Sequence, residues 1–332
     1  MATALGLRTV FGTGVEVSYG TPATVTRRYE IVSESLARQN TILESQGISG
    51  RAVTLRRGAR RVISARMGSG DVVMELAENG MGRWFEHMIG STPGSPAQQD
   101  GSDAYMQTHQ FGSLTSKSLT VQKSLRDGAG TEVEAFTYHG CKVVSWEITC
   151  NVDAIPQLTV SLDAEDVDTS TASTTLLQLP EPTGGLFTFL GGSLLIAGSP
   201  VARVLEASVS GDNSLKTDSF FIGSNGLKAE PEVNDFRTIT GNLRAEFTDP
   251  TVFYDRFTAD TGVELILSFV GSPIDGSHNY ECTITVPQVH FTGDTPVVSG
   301  PQLVEQTVPF EASYDDSEPP IAIEYQSTDQ TV

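Results

Sequence analysis

The stretch VVSWEITC (143–150) alternates: Val144, Trp146, Ile148 and Cys150 fall on one side, and Ser145, Glu147 and Thr149 on the other. A period of two fits a strand with one face buried and one wetted. The same pattern recurs in EAFTYHG, QLTVSLDAE, ARVLEASVS, TITGNLRAEF, GVELILSFV, ECTITVPQVHF and EQTVPFEAS. Many such strands, punctuated by 32 glycines and 16 prolines in 332 residues, predict a mainly β chain. That length accommodates one large domain or two ordinary ones. No apolar run reaches the roughly 20 residues of a membrane-spanning helix. The opening MATALGLRTVFGTG lacks the basic-then-apolar plan of a secretory signal.

Helix signals are few. Residues 71–88 carry Val72, Val73, Leu76, Ala77, Trp84, Phe85 and Met88 close to a 3.6 period, with Ser69 or Asp71 as a cap. Farther on, Asp249 and Pro250 form a cap-and-first-turn pair ahead of Val252, Phe253 and Phe257. Two long polar loops, 34–50 and 210–235, each stand between an early strand and the strand that feeds a helix. Residues 90–103 read as a Gly/Ser/Pro-rich loop or flap, 166–185 as an interdomain linker, and the acidic tail DDSEPPIAIEYQSTDQTV as extended chain.

The chain also says one thing twice. MGSGDVVMELAENGMG (67–82) and FTDPTVFYDRFTADTG (247–262) share an apolar–turn–apolar pair–mixed segment–Gly order. The closing strands QLTVSLDAE and EQTVPFEAS match at Thr159/Thr307, Val160/Val308, Leu162/Phe310 and Ala164/Ala312, and RRVISARM parallels RTITGNLRAEF. The common order predicts a duplication, with one unit over 1–180 and a second over 183–332.

Net charge is -20, spread unevenly. Residues 1–165 hold 15 basic and 17 acidic side chains, a balance of -2; residues 166–332 hold 6 and 24, a balance of -18. Such a chain does not seek phosphate backbones, which are held by releasing counterions onto Lys and Arg. One basic cluster stands apart: Arg51, Arg56, Arg57, Arg60, Arg61 and Arg66. It is either a solvated strand face or a contact for the acidic half of another copy. The three cysteines (Cys141, Cys150, Cys282) are odd in number and lack CxxC spacing, which fits small buried thiols in a reducing compartment.

Catalytic signatures are missing: there is no GxSxG, HExxH or GxxxxGK[ST], and the five histidines are scattered. DAEDVDTSTAS matches a calcium loop only at Asp166, Asp168 and Ser170. No cofactor, metal or catalytic residue is assigned. A carbohydrate-binding or adhesin-like β-sandwich module would need an exposed aromatic platform, and the two tryptophans both lie in core-like patterns.

Three segments taken together, GVEVSYGTPATVTRRYEIVSESL, YHGCKVVSWEITCNVDAIPQLTVSLDAED and GGSLLIAGSPVARVLEASVSGDNSL, resemble the tail tube proteins of long-tailed bacteriophages. The strand after the Tyr-x-Gly turn, at 138–149, carries most of the likeness. The resemblance implies two tandem β-sandwich or barrel domains, each with about one short helix. It implies a non-enzymatic virion protein, assembled in the host cytoplasm, whose strand edges pair into rings that stack as a tube. Six tube domains per ring would need three such chains, or six if the second half is only a decoration. Tail tip and terminator proteins and an internal tape measure would be partners, double-stranded DNA a transiting cargo, and no membrane anchor is called for. Acids on polar strand faces, with Glu147, Asp163, Glu246, Glu264 and Glu311 as candidates, would line the lumen and repel phosphates.

Overall fold

A computed structural model describes residues 3–48, 55–182, 184–293, 295–298 and 300–332. The chain is mainly β, with three α-helices among these residues: α1 (Gly82–Ile89), α2 (Thr174–Gln178) and α3 (Tyr254–Ala259). One ladder organises it. Its eight strands run, in spatial order, Ala37–Glu44, Arg61–Glu75, Gln157–Ala164, the C-terminal part of Glu132–Asn151, Val204–Asp212, Thr238–Glu246, Glu305–Ala312 and the end of His278–Phe291. All pairs are antiparallel. Two flanking sheets lean on it. In one, Ala4–Val15 joins Leu119–Asp127, then the N-terminal part of Glu132–Asn151, then Asp166–Asp168. In the other, Gly192–Ile196 joins Val263–Asp275, then His278–Phe291, Ala322–Ser327 and Tyr105–Phe111.

The pairing scheme of 4–168 recurs over 192–327. Both stretches have a strand hydrogen-bonded to the first arm of a long hairpin. In both, the second arm of that hairpin continues into the ladder and also takes a late strand. The ladder registers superpose as well: Ser69 lies opposite Asp163 and Val72 opposite Val160, while Thr240 lies opposite Glu311 and Leu243 opposite Val308. This aligns RMGSGDVVME (66–75) with RTITGNLRAE (237–246), matching Arg66 to Arg237, Gly70 to Gly241 and Glu75 to Glu246. The two halves do not stand apart. One buried cluster runs from Phe11 and Trp84 through Trp146 and Phe269 to Tyr325.

Several sequence expectations are corrected. Residues 71–75 are strand, not helix, because Val72, Met74 and Leu76 alternate into the core and α1 starts only at Gly82. The match of 67–82 to 247–262 is therefore out of register. Segment 166–185 is not an open linker. Asp166–Asp168 pairs with Thr137–His139, and α2 seats Leu176 on Val10 and Val25. The acidic tail holds strand Ala322–Ser327, whose Ile323 and Tyr325 are fully buried with Ile321 before them. The 90–103 loop contributes two short strands that pair with Tyr105–Phe111.

Helix α1 is buried on all sides except at Glu86, and ends on Gly90 in the left-handed region (φ 106°), where a Cβ would meet the Gly112 carbonyl oxygen at 2.5 Å. Its His87 directs Nδ1 to the Arg83 carbonyl oxygen at 2.8 Å, and His109 sits nearby with Nδ1 2.8 Å from Thr92 Oγ1. Burial pushes both imidazoles down to about 4. In the unfolded chain they take up protons near their ordinary value of about 6.5. Their neutral burial thus stabilises the fold fully above pH 6.5, and this contribution is lost as pH falls from 6.5 towards 4. Each is worth up to about 3 kcal/mol across that window. Urea midpoints are expected to fall steadily between pH 6.5 and 4, with a shallower fall in His109→Gln. A flat profile would mean that both rings are wetted.

Candidate assembly surface

The middle of the ladder is a seam between the two halves of the chain. Ser145–Asn151 of the first half pairs with Glu206–Asp212 of the second. At this seam Gly211 lies opposite Trp146, and a Cβ on Gly211 would strike the indole at 2.5 Å. The absence of a side chain is what lets the strands close there.

A clasp reinforces the seam. The loop after Val204–Asp212 folds back over the first half. Lys228, with no exposed side-chain surface, donates to Asp163 Oδ1. Lys142 Nζ donates to Glu230 Oε1 at 2.6 Å, to the Leu114 carbonyl oxygen at 2.8 Å and to that of Pro231 at 3.2 Å. Burial holds Asp163 above the usual carboxylate range, against the pull of Lys228, and holds Lys142 below the usual amine range. At the base of the clasp, Asn213 Nδ2 donates to the carbonyl oxygens of Met88 (3.0 Å) and Val143 (2.9 Å). Arg237 donates to those of Gly112 (2.8 Å) and Ile89 (3.1 Å), stacks 3.8 Å from the Phe111 ring centre, and binds Asn213 Oδ1 through Nε at 2.9 Å. Two side chains of the second half thus cap the C-terminus of α1, where carbonyls and the helix dipole favour a cation. Burial nevertheless lowers the Arg237 guanidinium to about 10.

Each end of the ladder is a border. Ala37–Glu44 has Arg61–Glu75 on one side and, among the described residues, no strand on the other. His290 and Phe291, among the described residues, pair with Glu305–Ala312 alone. The first border projects as an arm bearing exposed Leu43, Leu55, Val62 and Ile63. Unpaired edges of this kind are completed by another chain or guarded against one.

The arginines predicted from sequence spread along this arm. Arg56 binds Glu44 at 2.5 Å, Arg61 approaches the same carboxylate at 3.5 Å, and Arg66 stands at the base, 3.7 Å from Asp166. Arg57 is half-buried and Arg60 exposed. Arg51 lies outside the described residues. The predicted acids separate more sharply. Glu147 and Glu311 are exposed on one polar face, joined across the ladder by the row Glu147–Ser210–Thr240–Glu311. Glu246 is on the same ladder, paired with Arg203 at 2.6 Å. Glu264 belongs to the flanking sheet. Asp163 is buried, with Oδ1 bound by Lys228, and offers no carboxylate to solvent. Asp168 is taken up by Ser170 and Thr171 donors, and Arg38 and Arg66 flank Asp166. Trp84 and Trp146 are 0% and 3% exposed, so neither indole offers a platform for sugars. Sequence reasoning missed Asn213, Lys228 and Arg237. Their scarcity was the available signal, since Lys228 and Arg237 are two of only six cations beyond residue 165.

One ladder with a polar face, a border at each end and an internal strand-plus-clasp joint defines a mainly β subunit whose strand edges are open to pairing. The chain belongs to the phage tail tube protein family, whose model matches residues 6–312. A comparison with curated proteins found no match. Family membership gives the chain a structural role in the virion tail, with self-assembly into a tube and association with other tail proteins.

Proposed function

We propose that copies of this chain close into rings that stack as the tail tube, the conduit for genome ejection. The observation that carries the reading is the ladder's pair of unfinished borders flanking a seam of the same construction. The recurring pairing scheme supports a duplication over 1–180 and 183–332. A ring of three chains then supplies six tube-type units, while a ring of six remains the alternative if only one half lines the tube. The polar face carrying Glu147 and the Ser/Thr row would face the lumen, with Glu311 at its margin, beside the border where a neighbouring copy joins. Carboxylates there keep a phosphate backbone from settling and let the duplex slide. Asp163 takes no part in this, being occupied within the chain. A tape measure protein would occupy the lumen before ejection, tip and terminator proteins would close the two ends, and assembly would take place in the host cytoplasm.

Negative-stain micrographs of the purified chain, with rotational averaging of end views, test this. Stacked rings with threefold symmetry and six similar lobes are expected. A species that stays monomeric at high concentration would sink the proposal.

A further inference from the structure

The same residue types stand at the base of both long loops. The register that aligns Ser69 with Thr240 places Arg66 on Arg237. The strands before the loops align likewise: Ala37 pairs with Ser69 as Ser210 pairs with Thr240, which places Asn40 on Asn213. Asn40 lies directly opposite Arg66, as Asn213 binds Arg237. Yet their surroundings differ. Asn213 is 2% exposed and spends its amide on the C-terminus of α1, while Asn40 is exposed, its Oδ1 accepting from Arg38 Nε at 3.4 Å, and the Arg66 side chain, among the described residues, meets only Asp166, 3.7 Å away. One Asn/Arg pair has a helix to cap and the other, among the described residues, has none.

The helix that would match is α3. It ends on Asp260 in the left-handed region (φ 47°), as α1 ends on Gly90, so the carbonyls of Thr258 and Ala259 correspond to those of Met88 and Ile89. The carbonyl of Phe291 corresponds to that of Val143, since Phe291 lies opposite Phe310 as Val143 lies opposite Leu162. Around that end the second half presents anions. The Asp260 side chain is 85% exposed with Oδ1 2.9 Å from His290 Nδ1, and Glu311 is exposed. The arm beside Asn40 and Arg66 presents Arg56, Arg57 and Arg61. The charges are complementary in the sense the seam already uses, where Lys228 meets Asp163, the register equivalent of Glu311. The copy is not complete. The hairpin that supplies Phe111 and Gly112 to Arg237 has no counterpart beside α3 among the described residues.

We infer that Asn40 and Arg66 of one chain cap the C-terminus of α3 in a neighbouring copy, repeating between chains the joint that Asn213 and Arg237 make inside one. The occupant of this border is a second copy of the same chain. Its approach is fixed by donors to the Thr258, Ala259 and Phe291 carbonyls and by pairing of the first ladder edge with the last. The inference rests on the self-assembly proposed above, but not on the number of chains in a ring.

The test mixes two singly substituted chains, Thr41→Cys and Thr261→Cys, both at exposed positions. The native Cys141 and Cys282 are buried, and unsubstituted chain controls for half-buried Cys150. After co-assembly and treatment with a short bismaleimide, covalent dimers are expected in the mixture and in neither chain alone, with position 41 joined to position 261. Adding Arg66→Ala to the Thr41→Cys chain should lower the linked fraction about tenfold, the effect of losing one charged donor from a set of carbonyls. Tubes in micrographs without linked dimers would overturn the cap and leave the tube reading standing. Neither tubes nor dimers would overturn both.

Discussion

Asp163→Ala is expected to destabilise the folded chain by about 3–5 kcal/mol, because it leaves the Lys228 ammonium buried without its counter-charge. Lys228 has no exposed side-chain surface and Asp163 only 7%. Neither charge can turn to water without opening the clasp. The pair itself is a weaker source of stability than this figure suggests, since two ions were desolvated to make it. Hence the double substitution Asp163→Leu/Lys228→Met should recover most of the loss. Urea denaturation followed by tryptophan fluorescence is a suitable readout, because Trp146 packs on Gly211 at the same seam. The comparison separates two accounts. If Asp163→Ala costs less than about 1 kcal/mol, the value of an exposed pair, the clasp is open to solvent and does not hold the halves together.

The ladder strands were legible because each had one dry face. In Gln157–Ala164 and Glu305–Ala312 the pattern also set the register, with Val160 opposite Val72 and Val308 opposite Leu243. Elsewhere the periods competed. Val72, Val73, Leu76 and Ala77 satisfy a 3.6 repeat, and only pairing with Gln157–Ala164 on one side and Ser33–Glu34 on the other settles them as strand. The tail strand hid for another reason. Ile321, Ile323 and Tyr325 alternate, but their partners lie at 281–285 and 105–110, far away in sequence. Asp163 shows the limit most plainly. It occupies a position in an alternating strand where an acid ordinarily meets water. Its burial is decided by Lys228, 65 residues later. The alignment of RMGSGDVVME with RTITGNLRAE, with Arg, Gly and Glu at matching places, was present in the letters. It becomes persuasive only once the hydrogen-bond register selects it from other possible matches.

The arm invites the opposite experiment, one that should leave the monomer intact and remove the assembly. Arg56, Arg57, Arg60 and Arg61 changed together to Glu should abolish tubes at concentrations where the unaltered chain forms them. The monomer has little to lose. The side chains of Arg56 and Arg61 are 61% and 56% exposed, and their contacts with Glu44 are surface ion pairs worth about 0–1 kcal/mol each. The assembly has much to lose. Four reversals of two charges each take the chain from -20 to -28, and they put like charge against a second half that already carries -18. Circular dichroism and the urea midpoint should be nearly unchanged while sedimentation shows a single small species. The companion Arg→Lys set keeps the charge and removes the planar fork. If it assembles normally, the arm acts by steering and charge; if it too fails, directed hydrogen bonds from the guanidinium groups are required. Tubes that persist in the Glu set would return these four arginines to an ordinary solvated strand face, and the border would have to be sought elsewhere on the ladder.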